Sequence, residues 1–217
     1  MKSRKPKQAV VLLSGGLDSA VALYYAKAKG YKCLCLIFDY GQRHRKEILR
    51  AQRIAKTAGC LHKVLKITFP WKGSALLDKK IKIPEKLSAG VPVTYVPGRN
   101  IIFLSFAISL AETIKAGAVF IGAHSQDYSG YPDCRPEFLR AFSRMAKAGT
   151  LGKYEITAPL LRKNKSQIIR LGKKLGVPFE LTWSCYSGGK IPCGKCDSCR
   201  YRAKGFKEAG QPDPLIK

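Results

Sequence analysis

Acidic residues are what this chain lacks: 14 Asp and Glu stand against 40 Lys and Arg in 217 residues, a formal charge of +26. The shortage argues against a hot-environment reading of the lysines, because the usual thermophile pattern raises Glu along with Lys to build ion-pair networks. Two readings remain: a field that attracts nucleic acid or an acidic partner, or a solvated lysine surface. No run approaches the ~20 apolar residues of a membrane helix. The basic-then-apolar start MKSRKPKQAVVLL stops at Leu13, shorter than a signal-peptide core, and no small-residue cleavage site follows. A soluble, cytoplasmic protein is expected, so the eight cysteines read first as reduced thiols, metal ligands or catalysts rather than disulfides. Low-complexity tracts and solenoid-type repeats are absent, as are RNP-like or aromatic-interleaved basic stretches. What is present is a 46% hydrophobic content spread along the chain, enough to bury a genuine core.

Strand-like and helix-like runs alternate, which predicts an α/β fold with an open parallel sheet and helices on both faces. The strands are drawn at residues 9–13, 32–38, 63–68, 118–122 and 155–158. Most are short apolar runs without polar alternation, as suits strands buried on both faces. Helices are drawn at 19–29, 46–58, 100–115, 136–147 and 165–175. Residues 70–96, with their KKIKIPEK run, interrupt the rhythm as an inserted loop or flap. The chain divides into an α/β domain at 1–181 and a C-terminal segment at 182–217, whose tail QPDPLIK is expected to be loose. That segment is too small to bury a core of its own unless a metal holds it.

Between the first strand and first helix lies LLSGGLDSAV, residues 12–21. A glycine-rich turn opening a helix gathers free backbone N–H groups and the positive end of the helix dipole around one point, where anions bind. Ser14 and Ser19 add hydroxyls, and Gly15 and Gly16 let the backbone approach an oxyanion closely. The motif lacks the Lys and spacing of G-x-x-x-x-G-K-[ST] and the third glycine of G-x-G-x-x-G. By pattern alone it also fits an ordinary turn with Ser19 near the N-cap.

Near the C-terminus TWSCYSGGKIPCGKCDSCR sets Cys185, Cys193, Cys196 and Cys199 in a C-x7-C-x2-C-x2-C pattern. Four thiolates with no open position suit a structural tetrahedral zinc site, and the close spacing also suits an iron–sulfur cluster. Lys190, Lys195 and Arg200 would offset thiolate charge. Cys33, Cys35 and Cys60 sit in or beside apolar runs and read as small core residues.

SGGLDS resembles the pyrophosphate loop, S-G-G-x-D-S, of the ATP pyrophosphatase (PP-loop) superfamily. With FDYGQRH at 38–44, PGRN at 97–100, SGYPDCRPEF at 129–138, TWSCY and PCGKCDSC, the chain is similar to the 7-cyano-7-deazaguanine synthases, from about residue 10 to 202. The resemblance implies an adenine nucleotide alpha-hydrolase-like fold, with Leu12, Leu13, Ser14, Gly15, Gly16, Leu17, Asp18 and Ser19 around ATP and Asp18 positioning Mg²⁺ or the loop. Zinc on the four cysteines and a homodimer are also implied. Arg43, His44, Arg99 and Asn100 then stand where nucleotide phosphates or a substrate carboxylate would lie. Tyr131 is expected to stack on a ring, Asp133 to accept the donor pair of a guanine-like edge, and Arg135 to meet the carboxylate or acyl phosphate. Asp133 equally fits the N-cap of the helix from Pro136. The implied reaction turns 7-carboxy-7-deazaguanine into a nitrile with ATP and ammonia by adenylating first the acid and then the amide. No enzyme nucleophile is needed, only positioning, charge neutralisation and exclusion of water. Two rivals stand beside it: a tRNA-modifying PP-loop enzyme of the thiolase or lysidine-ligase kind, and a catalytically dead, zinc-bearing nucleic-acid-binding protein.

Overall fold

The computed structural model describes residues 7–43, 45–85, 90–124 and 131–216. His44, Ser129, Gly130, the basic residues 1–6 and residues 86–89 of the insertion, all invoked above, lie outside the described residues.

Five parallel strands, β1 (Gln8–Leu12), β2 (Lys32–Asp39), β3 (Leu61–Lys66), β4 (Ala118–Phe120) and β5 (Glu155–Thr157), form one sheet in the order β3-β2-β1-β4-β5. Side chains alternate across a strand, and on β1 the alternation separates two cores. Ala9, Val11 and Leu13 face α1 (Leu17–Ala28), α2 (Lys46–Thr57) and α5 (Lys165–Lys174). Val10 and Leu12 face α3 (Arg99–Thr113) and α4 (Pro136–Gly149). β1 is apolar on both faces because helices cover both, while the edge strand β3 alternates poorly and leaves Leu61 72% exposed.

The sequence-based strand at 63–68 is corrected to Leu61–Lys66, which pairs with β2 from Leu34↔Leu61 onward. α5 begins at a capping box: Asn164 Oδ1 accepts the Gln167 N–H, and the Gln167 side chain returns to the Asn164 N–H.

The C-terminal segment adds α6 (Asp197–Glu208), which was not drawn from the sequence because glycine and cysteine crowd its approach. α6 packs on α5, and its Phe206 joins the α1/α5 core. The expectation of a loose tail is corrected. The buried Arg202 guanidinium takes both Asp213 carboxylate oxygens at 2.7 and 2.8 Å and also donates to Thr182 Oγ1 and the Phe179 carbonyl. The described part of the insertion at 70–96 contains neither helix nor strand.

Candidate active site and four-cysteine centre

Strand order reverses direction between β1 and β4, and open α/β sheets collect ligands at the carboxyl ends of such strands. A cavity of about 230 Å³ opens there, lined by Leu12 to Ser14 and Gly16 to Ser19 after β1, Ile121 to Ala123 after β4, and Arg99 and Asn100 at the start of α3.

The loop is held from both sides. Gly15 has φ +86°, and a Cβ on it would stand 2.2 Å from the Glu47 carbonyl oxygen, so only glycine lets α2 approach this closely. Its own carbonyl accepts the Trp183 N–H at 2.9 Å. Inside the loop the Ser14 and Ser19 hydroxyls lie 3.0 Å apart, and Ser19 Oγ donates to the Gly16 carbonyl. Gly16 is the N-cap of α1, whose first-turn N–H groups have no partner within the helix. Gly122 repeats the close approach, since a Cβ there would meet Ser19 N at 2.9 Å.

Asp18 is paired with a lysine. Lys165 Nζ, at the first turn of α5, donates to Oδ1 at 2.8 Å and Oδ2 at 2.9 Å, and His124 Nε2 lies 2.9 Å from the same Nζ. Burial pushes the Asp18 carboxyl up, but Lys165 and then His124 outweigh it and hold the pKa well below the usual carboxylate range. Neither Lys165 nor His124 was singled out from the sequence. A lysine in a helix's first turn is a legible signal, because the helix dipole disfavours a cation there unless something compensates.

Arg99 lines the cavity among Tyr40, Tyr131 and Asp133; burial opposes its charge, and those neighbours more than offset the penalty. Asn100 also lines the cavity, with its side chain donating to the Asp133 carbonyl and to Cys134 Sγ.

Several of the expected site residues stand outside the cavity's described lining. Asp133 is 4% exposed and does not line the cavity; its Oδ2 accepts the Asn100 N–H at 2.8 Å, so it caps α3 rather than the helix from Pro136. Arg43 donates to the Ala75 and Ile81 carbonyls and ties down the insertion instead of facing phosphate. Arg135 is exposed at the N-cap of α4, outside the cavity. The Tyr131 hydroxyl pairs with that of Thr94 at 3.0 Å, while the aromatic wall of the cavity comes from Phe38, Tyr40, Phe103, Trp183 and Tyr186.

Glu47 was missed altogether. It lines the cavity from the first turn of α2, where an acid is ordinary helix chemistry and carries no signal. Burial pushes its carboxyl up to about 7 against the pull of Arg99, with Cys185 adding to the rise.

The four cysteines converge as the spacing predicts. Their Sγ atoms all lie within 4.8 Å of one another, and Cys193 and Cys199 are 3.9 Å apart. Four sulfurs at ~2.3 Å from one tetrahedral ion would be separated by roughly 3.8 Å, so the donor set fits a single metal ion. Backbone N–H groups of Cys193 and Cys196 donate to Cys185 Sγ and Cys193 Sγ, which supports thiolate charge. Trp183 bridges this centre and the loop, since its Nε1 donates to the Cys185 carbonyl while its backbone N–H holds Gly15.

Residues 8–210 match the family model described as "Queuosine biosynthesis protein QueC". The chain belongs to this family. Two curated relatives in the QueC family are close: the 7-cyano-7-deazaguanine synthase of Trichodesmium erythraeum is 49% identical over 221 residues, spanning 96% of this chain and 100% of its own. That of Pseudomonas paraeruginosa is 54% identical over 218 residues, spanning 96% and 97%. Among solved structures, NMN synthetase from Francisella tularensis superposes with a TM-score of 0.51 at 17% identity, over 96% of this chain and 79% of that one. A 4-thiouridine synthetase in complex with RNA and ATP gives 0.50 at 19%, over 94% and 50%. These two likenesses establish the fold and nothing finer. With the QueC family established, the sheet, loop and four-cysteine centre belong to an enzyme of queuosine biosynthesis.

Proposed function

We propose that the chain converts 7-carboxy-7-deazaguanine and ammonia to 7-cyano-7-deazaguanine, consuming two ATP, as a ligase forming C–N bonds. One observation carries the reading: the SGGLDS loop, the N-terminus of α1 and the Arg99 guanidinium converge on one cavity at the switch point of the sheet. Ser14, Gly15, Gly16 and Ser19 hold the β,γ-phosphates through backbone N–H groups and hydroxyls, and Mg²⁺ enters with the nucleotide. Lys165, held at the loop by Asp18, adds a positive charge beside the departing pyrophosphate.

In the first half-reaction a carboxylate oxygen attacks the α-phosphorus and pyrophosphate leaves. Ammonia then adds to the acyl carbon, AMP departs, and a proton is lost to leave the amide. In the second, the amide oxygen attacks the α-phosphorus of a second ATP and pyrophosphate leaves; loss of AMP and the two remaining N–H protons then leaves the nitrile. Both activations are the same displacement on the same site, so one loop and one cation set serve twice. Arg99 neutralises the substrate carboxylate as it approaches the phosphate, and the aromatic wall keeps water from the acyl-adenylate.

Zinc on Cys185, Cys193, Cys196 and Cys199 would lock the C-terminal segment against the loop; a cubane cluster would spread the sulfurs further than they stand. We further infer a cytoplasmic homodimer supplied with free ammonia. The test is incubation with 7-carboxy-7-deazaguanine, ATP, Mg²⁺ and ammonium, with nitrile and AMP followed by mass spectrometry. Two AMP per nitrile, lost in Ser14→Ala, is expected; a folded, metal-loaded protein that forms no nitrile overturns the reading.

A further inference from the structure

The reaction above needs something to recognise the heterocycle, and that question rests on the proposed function. A guanine-like edge presents two adjacent donors, the ring N1–H and the exocyclic amine, which a carboxylate accepts side by side. The adenine edge presents one donor beside an acceptor and repels a carboxylate. The sequence offered Asp133 for this role, yet Asp133 is buried outside the cavity with one oxygen committed to the α3 N-terminus.

Among the described residues two carboxylates line the cavity, those of Asp18 and Glu47. Asp18 is taken by Lys165 on both oxygens. Glu47 carries no side-chain hydrogen bond or ion pair among the described residues, and it shares the cavity with Arg99. Its backbone is fixed, because its carbonyl packs against Gly15 and leaves no room for even a methyl group. The side chain thus projects from a rigid first turn into a cleft walled by Phe38, Tyr40 and Phe103, a shape that takes a flat ring. A carboxyl raised towards neutrality by burial is also one whose charge a donor pair would restore.

We propose that Glu47 is the specificity-determining residue that accepts the N1–H and exocyclic amine of the deazaguanine ring, with Arg99 left for the carboxylate at the ring's other end. Adenine is refused at this position by the same group.

The isosteric variant Glu47→Gln tests this, with 7-carboxy-7-deazaguanine and its analogue lacking the exocyclic amine as probes. Wild type is expected to prefer the full substrate by about 10- to 100-fold in kcat/KM, the size of a lost charge-assisted pair. Glu47→Gln is expected to raise KM for the acid by a similar factor, to leave KM for ATP alone and to lose most of the preference between probes. A fall in kcat at unchanged KM would overturn the proposal in favour of proton transfer, and a change confined to KM for ATP would place Glu47 on the nucleotide. Calorimetric binding of 7-cyano-7-deazaguanine without ATP separates this inference from the function itself. If wild type binds the ring and Glu47→Gln does not, Glu47 reads the ring even where turnover fails. Equal binding by both overturns it, and so does binding by neither.

Discussion

Asp18, half-buried and held by Lys165 with His124 beside it, is a carboxylate whose depressed pKa fixes a pH dependence. The Asp18 pKa in the folded chain is depressed, so the pair's stabilisation is complete above the unfolded carboxylate value of ~3.9 and is lost as pH falls through and below it. Thermal unfolding followed from pH 6 down to pH 2 should therefore show an acid limb in wild type that steepens below pH ~4. Asp18→Asn should flatten that limb while lowering stability at neutral pH, because Lys165 is then 11% exposed without its partner. An acid limb of unchanged steepness in the variant would show that the cluster does not titrate in this way. At this scale the sequence was uneven. The turn from Ser14 to Ser19 was legible as a cavity-lining loop because it is contiguous in sequence, whereas Lys165 and His124 reach Asp18 from distant elements and no local pattern joins them. Arg43 and Asp133 show the converse: the structure gives them partners on backbone carbonyls and a helix end, which arginine and aspartate serve as readily as ligands.

Elements were easier to read than their partners. Each of the five strands and five helices drawn from the sequence exists, because β1 and α1 are apolar enough to be covered on both sides and α2, α4 and α5 carry one apolar face. α6 escaped because its stability comes from elsewhere: from Phe206 against Phe179, and from Arg202 joining residues 179, 182 and 213. With both side chains about 95% buried, removal of one partner strands the other charge. Asp213→Ala should cost about 3–5 kcal/mol, read as the denaturant midpoint at unchanged slope. A loss below ~1 kcal/mol would mean the tail is indeed loose. Because Trp183 links α6's segment to Gly15, the same variant should also weaken ATP binding, although none of the described tail residues lines the cavity.

At the scale of the molecule the excess of basic residues meets an anionic chemistry. In the proposed reaction ATP and the carboxylate substrate both carry negative charge, so a +26 chain would raise their encounter rate without touching the bond-making steps. Screening separates the two. Between about 10 mM and 300 mM salt the Debye length falls from ~30 Å to below ~10 Å, so long-range attraction fades while buried pairs such as Lys165–Asp18 persist. kcat/KM for ATP should then fall several-fold while kcat holds, and chloride and acetate should act alike. A parallel loss of kcat would instead place the salt effect inside the cavity. The same titration decides what the charge means for nucleic acid. Attraction without a binding face scales with the number of phosphates covered and collapses steeply with salt. Short RNA should therefore bind at the low end and be lost near physiological ionic strength; retention there would require a groove or stacking surface that uses more than charge.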